Sequence, residues 1–282
     1  MPRDETQQFV QLPDLRVAIE RTGAGAPILL LHGFPHTKEI WREVVPLLAG
    51  AGYEAIAVDL RGIGATEIPL DGYDADTLAI DQVRLLDALG LPRAHVVGFD
   101  FGAAPAFAMA TRHPERVLSL TIVEAVIGGL DGAEDFFSAG VPWWFGFHQA
   151  PGGLAEDVVA GSEERYIEFF LAAGARTGVP RDLRDHLVEA YTGHERLRAA
   201  FAHYRVMPAN AAANRRWAEK HTLSLPASAV GASTVGDAPA RQLERVAEVV
   251  VATQIASSGH IVPIDAPAEL AAAILATALR AA

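Results

Sequence analysis

The segment Gly98-Phe99-Asp100-Phe101-Gly102 is where residue types and spacing most directly imply chemistry. It follows a β-rich apolar run over 95–97 and precedes a helical pattern through Phe107 and Met109. A glycine-framed turn between strand and helix lifts its middle side chain clear at the strand's carboxyl end, as in a nucleophile elbow. Here the middle residue is aspartate, not serine. A carboxylate is already ionised at neutral pH, needs no base, and gives an alkyl-enzyme ester. It suits displacement at an sp3 carbon: an epoxide, a halide or an activated alkyl group. An aspartate in a turn is by itself more often a hydrogen-bonded turn residue; the two glycines and the strand–helix setting favour the nucleophile.

Breaking such an ester requires an activated water and an oxyanion site. The loop His32-Gly33-Phe34-Pro35 directly follows the first core strand, so the amides of Phe34 and Phe101 are the expected oxyanion donors. Proline and glycine in this turn argue against His32 and His36 as a helical metal pair. His260, in Ser258-Gly259-His260-Ile261 after the last strand, is placed to activate water. His113 reads as a helix C-terminal residue, and His186, His194, His203 and His221 as surface helix positions. Two acids compete to orient His260. Glu124 ends a strand in Ile122-Val123-Glu124-Ala125, where an unpaired charge would be costly. Asp237 follows a later strand but comes three residues after the usual place, which holds Thr234. Glu124 is preferred, with Asp237 as a turn or capping residue. Two aromatic segments follow the acid. In Val141-Pro142-Trp143-Trp144-Phe145-Gly146-Phe147-His148 most rings suit packing, while an indole N–H facing Asp100 would steady a developing alkoxide. In Phe201-Ala202-His203-Tyr204-Arg205, Tyr204 could both donate a hydrogen bond and release its proton, which tryptophan cannot.

These residues need a scaffold that brings strand ends together. Short apolar runs at 28–32, 54–60, 95–100, 118–124, 228–231 and 249–255 alternate with helical patterns, the signature of a mainly parallel sheet with crossover helices. Their near-continuous apolar character predicts burial on both faces. Helical faces appear as Trp41, Val44, Val45 and Leu48, as Ala79, Val83 and Leu86, and as Leu270, Ala273, Ile274 and Ala278. A hairpin around Val10 and 17–20 is expected to precede them. Between Val126 and about Leu225 the alternation stops, predicting a helical cap over 128–225 and a core of 1–127 with 226–282.

The chain has 282 residues, no cysteine, half its residues apolar and a net charge of −12. Such a chain can bury a large core, and it excludes disulfides, thiolate metal sites and a thiol nucleophile. The acidic balance disfavours nucleic acid and anionic membranes as partners. The start, MPRDETQQ, lacks an apolar signal core, and the apolar run 27–31 is far too short to cross a bilayer, so a cytoplasmic protein is expected. Gly62-Ile63-Gly64 and Gly23-Ala24-Gly25 are not dinucleotide fingerprints, and no phosphate-loop, zinc or calcium spacing occurs, so no cofactor or metal is expected. Asp59-Leu60-Arg61-Gly62 reads as a strand-end loop.

The order His-Gly-Phe-Pro, Asp-Leu-Arg-Gly-Ile-Gly, Gly-Phe-Asp-Phe-Gly, helical insertion and late Gly-His resembles the α/β-hydrolase epoxide hydrolases over nearly the whole chain. The resemblance implies an α/β-hydrolase fold: a mostly parallel sheet flanked by helices, with an inserted helical cap. Val123-Glu124-Ala125 is similar to the subset whose acid follows the sixth strand, and the segment from Phe201 to Arg205 to the cap segment bearing the ring-opening tyrosine, implying Tyr204. Relatives carry a second cap donor, His or Tyr. The tandem Trp143-Trp144 instead resembles the actinobacterial epoxide hydrolases of aromatic polyketide pathways, the kinamycin-type branch, which implies that both indoles contact the epoxide. The chain departs from the family at Phe99, where His is frequent. Phe34 and Phe101 replace the halide-cradling groups of haloalkane dehalogenases, and Phe101 and Ala104 lack the arginines of fluoroacetate dehalogenases.

The resulting expectation is a cofactor-free hydrolase that opens a bulky aromatic epoxide to a diol, with epoxide and water as its partners. A homodimer is compatible with the sequence. Two alternatives stand beside it: a dehalogenase of apolar alkyl halides, and a non-catalytic hydrolase-like binding protein.

Overall fold

A computed structural model describes residues 8–138 and 140–281. The opening stretch 1–7, on which the absence of a signal was read, lies outside the described residues. Among the described residues eight strands form one sheet: β1 (Gln8–Gln11), β2 (Arg16–Gly23), β3 (Ala26–Leu31), β4 (Tyr53–Val58), β5 (Ala94–Phe99), β6 (Val117–Val123), β7 (Ala227–Gly231) and β8 (Val250–Gln254). Their order is β1-β2-β4-β3-β5-β6-β7-β8. The β1–β2 hairpin is antiparallel, and β2 runs antiparallel to β4. From β4 to β8 every pairing is parallel. The chain leaves β3 for β4 on one side and then returns to β5 on the other. The crevice between the ends of β3 and β5 is therefore the topological switch point, where open α/β sheets collect ligand chemistry.

Alternate residues of a strand enter different apolar clusters. Ile28 and Leu30 join one, Leu29 and Leu31 the other, so the central strands are buried on both faces. The last strand departs from that expectation: β8 is the sheet edge, and its residues are half-buried or exposed.

The helices covering the sheet include α1 (Val45–Gly50), α2 (Ala75–Ala88) and α3 (Ala103–Arg112). Asp74 caps α2, its carboxylate accepting from the Thr77 amide at 2.9 Å. The helical face Trp41-Val44-Val45-Leu48 is fully buried but is not one helix: a 3-10 turn over Lys38–Trp41 precedes α1. Pro46 forces the restart, because an interior proline lacks the N–H and clashes with the preceding turn, whereas it fits the first turn of a new helix.

Among the described residues, seven α-helices and no named strand lie between β6 and β7: α4 (Glu134–Phe137), α5 (Trp143–His148), α6 (Leu154–Val159), α7 (Glu163–Gly174), α8 (Arg181–Ala190), α9 (His194–Arg205) and α10 (Met207–Ala218). Their apolar residues are not a separate core. Ile167, Leu187 and Phe201 belong to the same cluster as Ile28 and Val97 of the sheet. The chain rejoins the sheet layer at Leu223, which bridges to Ala247. After β7 come α11 (Ala238–Glu244), α12 (Val262–Asp265) and α13 (Pro267–Ala278). Among the described residues no helix is long and apolar enough to cross a membrane.

Candidate active site

Asp100 follows β5 with φ 52°, and Glu124 follows β6 with φ 45°. Positive φ in a non-glycine residue costs on the order of 1 kcal/mol and persists only where surrounding contacts hold it. At Asp100 those contacts are the glycines. A Cβ on Gly98 would lie 2.5 Å from the Gly102 carbonyl oxygen, and one on Gly33 would lie 2.2 Å from Asp100 Oδ1. Glycine at these positions lets the elbow and the β3 loop touch. The Phe34 amide consequently donates to Asp100 Oδ1 at 2.8 Å.

His260 sits between the two carboxylates. Its Nδ1 is 3.0 Å from Glu124 Oε2 and its Nε2 is 3.2 Å from Asp100 Oδ2. The Glu124 side chain is fully buried, and its other oxygen accepts from the amides of Ala232 and Val235 just past β7. Of the two competing acids the structure brings Glu124, not Asp237, to His260. Asp237 lies at the start of α11, mostly exposed and paired with Arg241 at 2.6 Å.

The charges are coupled. Burial alone would keep His260 neutral, but Asp100 and Glu124 outweigh it and push its pKa up to about 10. Burial likewise opposes the Asp100 charge; hydrogen bonds from His260 and from the Phe34 and Phe101 amides prevail and hold its pKa below the ordinary carboxylate value. At rest the Asp100 carboxylate thus faces an imidazolium whose Nδ1 lies on Glu124.

Across the cavity stands the helical wall. Tyr204 on α9 lines the same cavity as Asp100, His260, Phe34 and Phe101. It is nearly fully buried; burial and then the Asp100 charge push its pKa well above the ordinary value, so the phenol keeps its proton. Ring contacts with Phe34, Phe101, Phe145 and His148 fix its direction. The tandem tryptophans part company. Trp144 lines the cavity, whereas Trp143 is half exposed and packs on Phe147, Phe169 and Phe170. Consecutive helical residues point about 100° apart, so the two indoles leave α5 in different directions. Of the two indoles expected at the substrate, that of Trp144 lines the cavity and that of Trp143 does not.

Residues 26–177 match the family model for the alpha/beta hydrolase fold. The chain belongs to that family. A crystal structure of Cfl2 from Burkholderia cenocepacia is similar over 94% of this chain and 93% of its own, with TM-score 0.86 and 33% sequence identity. A fluoroacetate dehalogenase from a Burkholderia species is 33% identical over 178 residues, 61% of this chain and 58% of that one. A soluble epoxide hydrolase from Corynebacterium is 34% identical over 136 residues, 48% of this chain and 47% of that one. The match thus spans about half the length of these curated relatives.

One histidine of this α/β-hydrolase differs from its sequence reading, and three more have surroundings that the sequence does not show. His203 is not a surface residue: it is buried, stacked on Phe101 at 4.6 Å, with Nε2 hydrogen-bonded to the Arg61 carbonyl at 3.1 Å. The α9 helix is covered on two faces, which its composition does not reveal. His148 was passed over within its aromatic run. It is fully buried, 4.3 Å from the Tyr204 ring, with Nε2 on the Tyr166 hydroxyl at 2.5 Å and Nδ1 without a partner among the described residues. A lone imidazole in an otherwise apolar run was the available signal. His36 lines the cavity beside Phe99, and burial drives its pKa down to about 3, leaving it neutral. His32 has both nitrogens engaged, at the Gly33 carbonyl and the Leu60 amide.

Proposed function

We propose that this α/β-hydrolase is an epoxide hydrolase that opens a neutral, bulky aromatic epoxide to a diol without a cofactor, 128–225 forming its cap. The observation carrying the reading is Tyr204, a protonated phenol lining the same cavity as the Asp100–His260–Glu124 row. An epoxide oxygen leaves as an alkoxide that stays attached to the substrate and must be protonated, whereas a halide departs without a proton.

Asp100 Oδ1 already rests on the Phe34 amide, where an ester carbonyl would lie, which leaves Oδ2 to attack. The new C–O bond forms as the epoxide C–O bond breaks, and Tyr204 gives its proton to the leaving oxygen. Esterification removes the Asp100 charge that held the His260 proton. The imidazolium can then release that proton, which restores the Tyr204 phenol through solvent. Neutral His260, oriented by Glu124, takes a proton from water, and the hydroxide attacks Asp100 Cγ while the Phe34 and Phe101 amides hold the oxyanion. Diol release returns the carboxylate and the imidazolium.

Phe136, Trp144, Phe145 and Phe170 give the cavity its aromatic lining, which supports a flat apolar substrate of the polyketide kind, with Trp144 alone carrying the tryptophan contact. Among the described residues neither lysine nor arginine lines it, so the carboxylate substrate named for the Burkholderia relative has no cationic side chain there beyond the histidine of the row. The test is to incubate the His260→Gln variant with a panel of aryl epoxides and to weigh the intact protein and its Asp100 peptide. An adduct of the epoxide's mass on Asp100 is expected. Labelling only by alkyl halides would make the protein a dehalogenase, and labelling by neither, with inert wild type, a binding protein.

A further inference from the structure

The loop carrying His260 is stitched to the helical wall by one carboxylate outside the triad. Asp265, at the end of α12, accepts from four donors. Oδ2 takes the Gly259 and Arg176 amides, each at 2.8 Å, and Oδ1 takes the Thr177 amide at 2.8 Å and the Thr177 hydroxyl at 2.6 Å. Arg176 and Thr177 lie just past α7, so a single side chain joins the residue preceding His260 to the segment between β6 and β7. Two further bonds close the seam: the Ile261 amide to the Gly174 carbonyl at 3.0 Å, and the Arg176 guanidinium to the Ala256 carbonyl at 3.0 Å. The backbones run so close that a Cβ on Gly259 would lie 2.3 Å from the Gly174 carbonyl oxygen. The four donors outweigh burial and keep the Asp265 carboxyl ionised below its ordinary pKa.

We infer that Asp265 is a positioning residue for the second half of the reaction: it holds the His260 loop in register with the helical wall while the enzyme is esterified. This rests on the epoxide reading above. In the resting state His260 is fixed by two carboxylates. Once Asp100 is an ester, one of these is lost as a charged partner, and the imidazole must still aim at water with Glu124 alone. The Asp265 seam is unaffected by that change, so it carries more of the positioning in the ester state than at rest. Removing it should spare alkylation and slow hydrolysis.

The experiment is single turnover with the aryl epoxide that best labels His260→Gln, measuring ester formation and ester loss by quenched intact mass. Asp265→Asn keeps one acceptor oxygen and Asp265→Ala keeps none; Thr177→Val removes only the hydroxyl bond and guards against loss of folding in the other two. Ester should form within about threefold of the wild-type rate in each. Ester loss should slow in the order Thr177→Val, Asp265→Asn, Asp265→Ala, reaching about tenfold or more, as expected when a reacting group is misplaced by a fraction of an ångström. Equal slowing of both steps, or no change in ester loss, overturns the inference while leaving the epoxide reading intact. Failure of His260→Gln to accumulate any ester overturns both.

Discussion

The cavity has two walls built on different principles. The sheet wall places Asp100, Glu124 and the Phe34 amide through backbone geometry: two positive φ angles, glycines at contact distance, and strand ends side by side across the switch point. The helical wall places Tyr204 and Trp144 through side-chain packing, each ring held by other rings at centroid distances of 4.3–6.1 Å. Backbone constraints are all-or-none and fix an atom to within a hydrogen bond. Aromatic packing tolerates exchange of one ring for another of similar volume. The sheet wall therefore suits covalent chemistry, and the helical wall suits the choice of substrate.

Substitutions should separate the walls by size and by step. The largest effect is expected at Glu124→Gln. The Ala232 and Val235 amides will keep the glutamine oxygen, so its NH2 faces His260 Nδ1 and favours the wrong tautomer. Turnover should fall roughly 10⁴-fold, as for a triad acid changed to its amide, and the Asp100 ester should accumulate in intact-mass spectra. A variant that turns over freely would remove Glu124 from the mechanism. Tyr204→Phe should cost about 10²-fold, the lower end for loss of a general acid. That loss belongs to ester formation, so stopped-flow alkylation should slow and no ester should build up.

A pH effect follows in size. His260 has its pKa raised from 6.5 to about 10, so its contribution to stability is fully present below about pH 6.5 and is lost as pH rises through about 10. Asp100→Asn removes one of the two charges responsible and should bring the imidazole titration, followed by NMR, down towards its ordinary value. Wild type should accordingly lose more unfolding free energy over that window than the variant; equal losses in urea titrations would contradict the coupling. The smallest effect belongs to Trp143→Ala. Its indole lies outside the cavity, so kcat/KM should change less than about threefold, whereas Trp144→Ala should raise KM by removing contact area. A large loss at Trp143 would return the tandem pair to the site.

Asp100, Phe34, Phe101 and His260 were legible because their neighbours are constrained locally: a glycine-framed turn after an apolar strand has few uses, and a Gly-His loop after the last strand has few positions. The same holds for the parallel sheet, whose strands are written as continuous apolar runs. Pro46 was also visible, yet the periodicity of Trp41 to Leu48 masked the break it imposes. His203 was misread, and the places of Trp143 and His148 were not visible, for a common reason. Each lies on a helix whose neighbours come from distant sequence, and helical spacing says which residues share a face, not which face is covered or by what.

By itself, then, the sequence determined the α/β architecture, the carboxylate elbow and the order of the candidate site groups along the chain, since these follow from continuous apolar runs alternating with helical patterns and from close-packed turns only glycine permits. Only the tertiary structure decided that Glu124 and not Asp237 meets His260, that one indole of two faces the cavity, and that Asp265 ties the histidine loop to the helices. Those outcomes depend on hydrogen bonds and ring contacts between residues up to 136 positions apart, which no local pattern encodes.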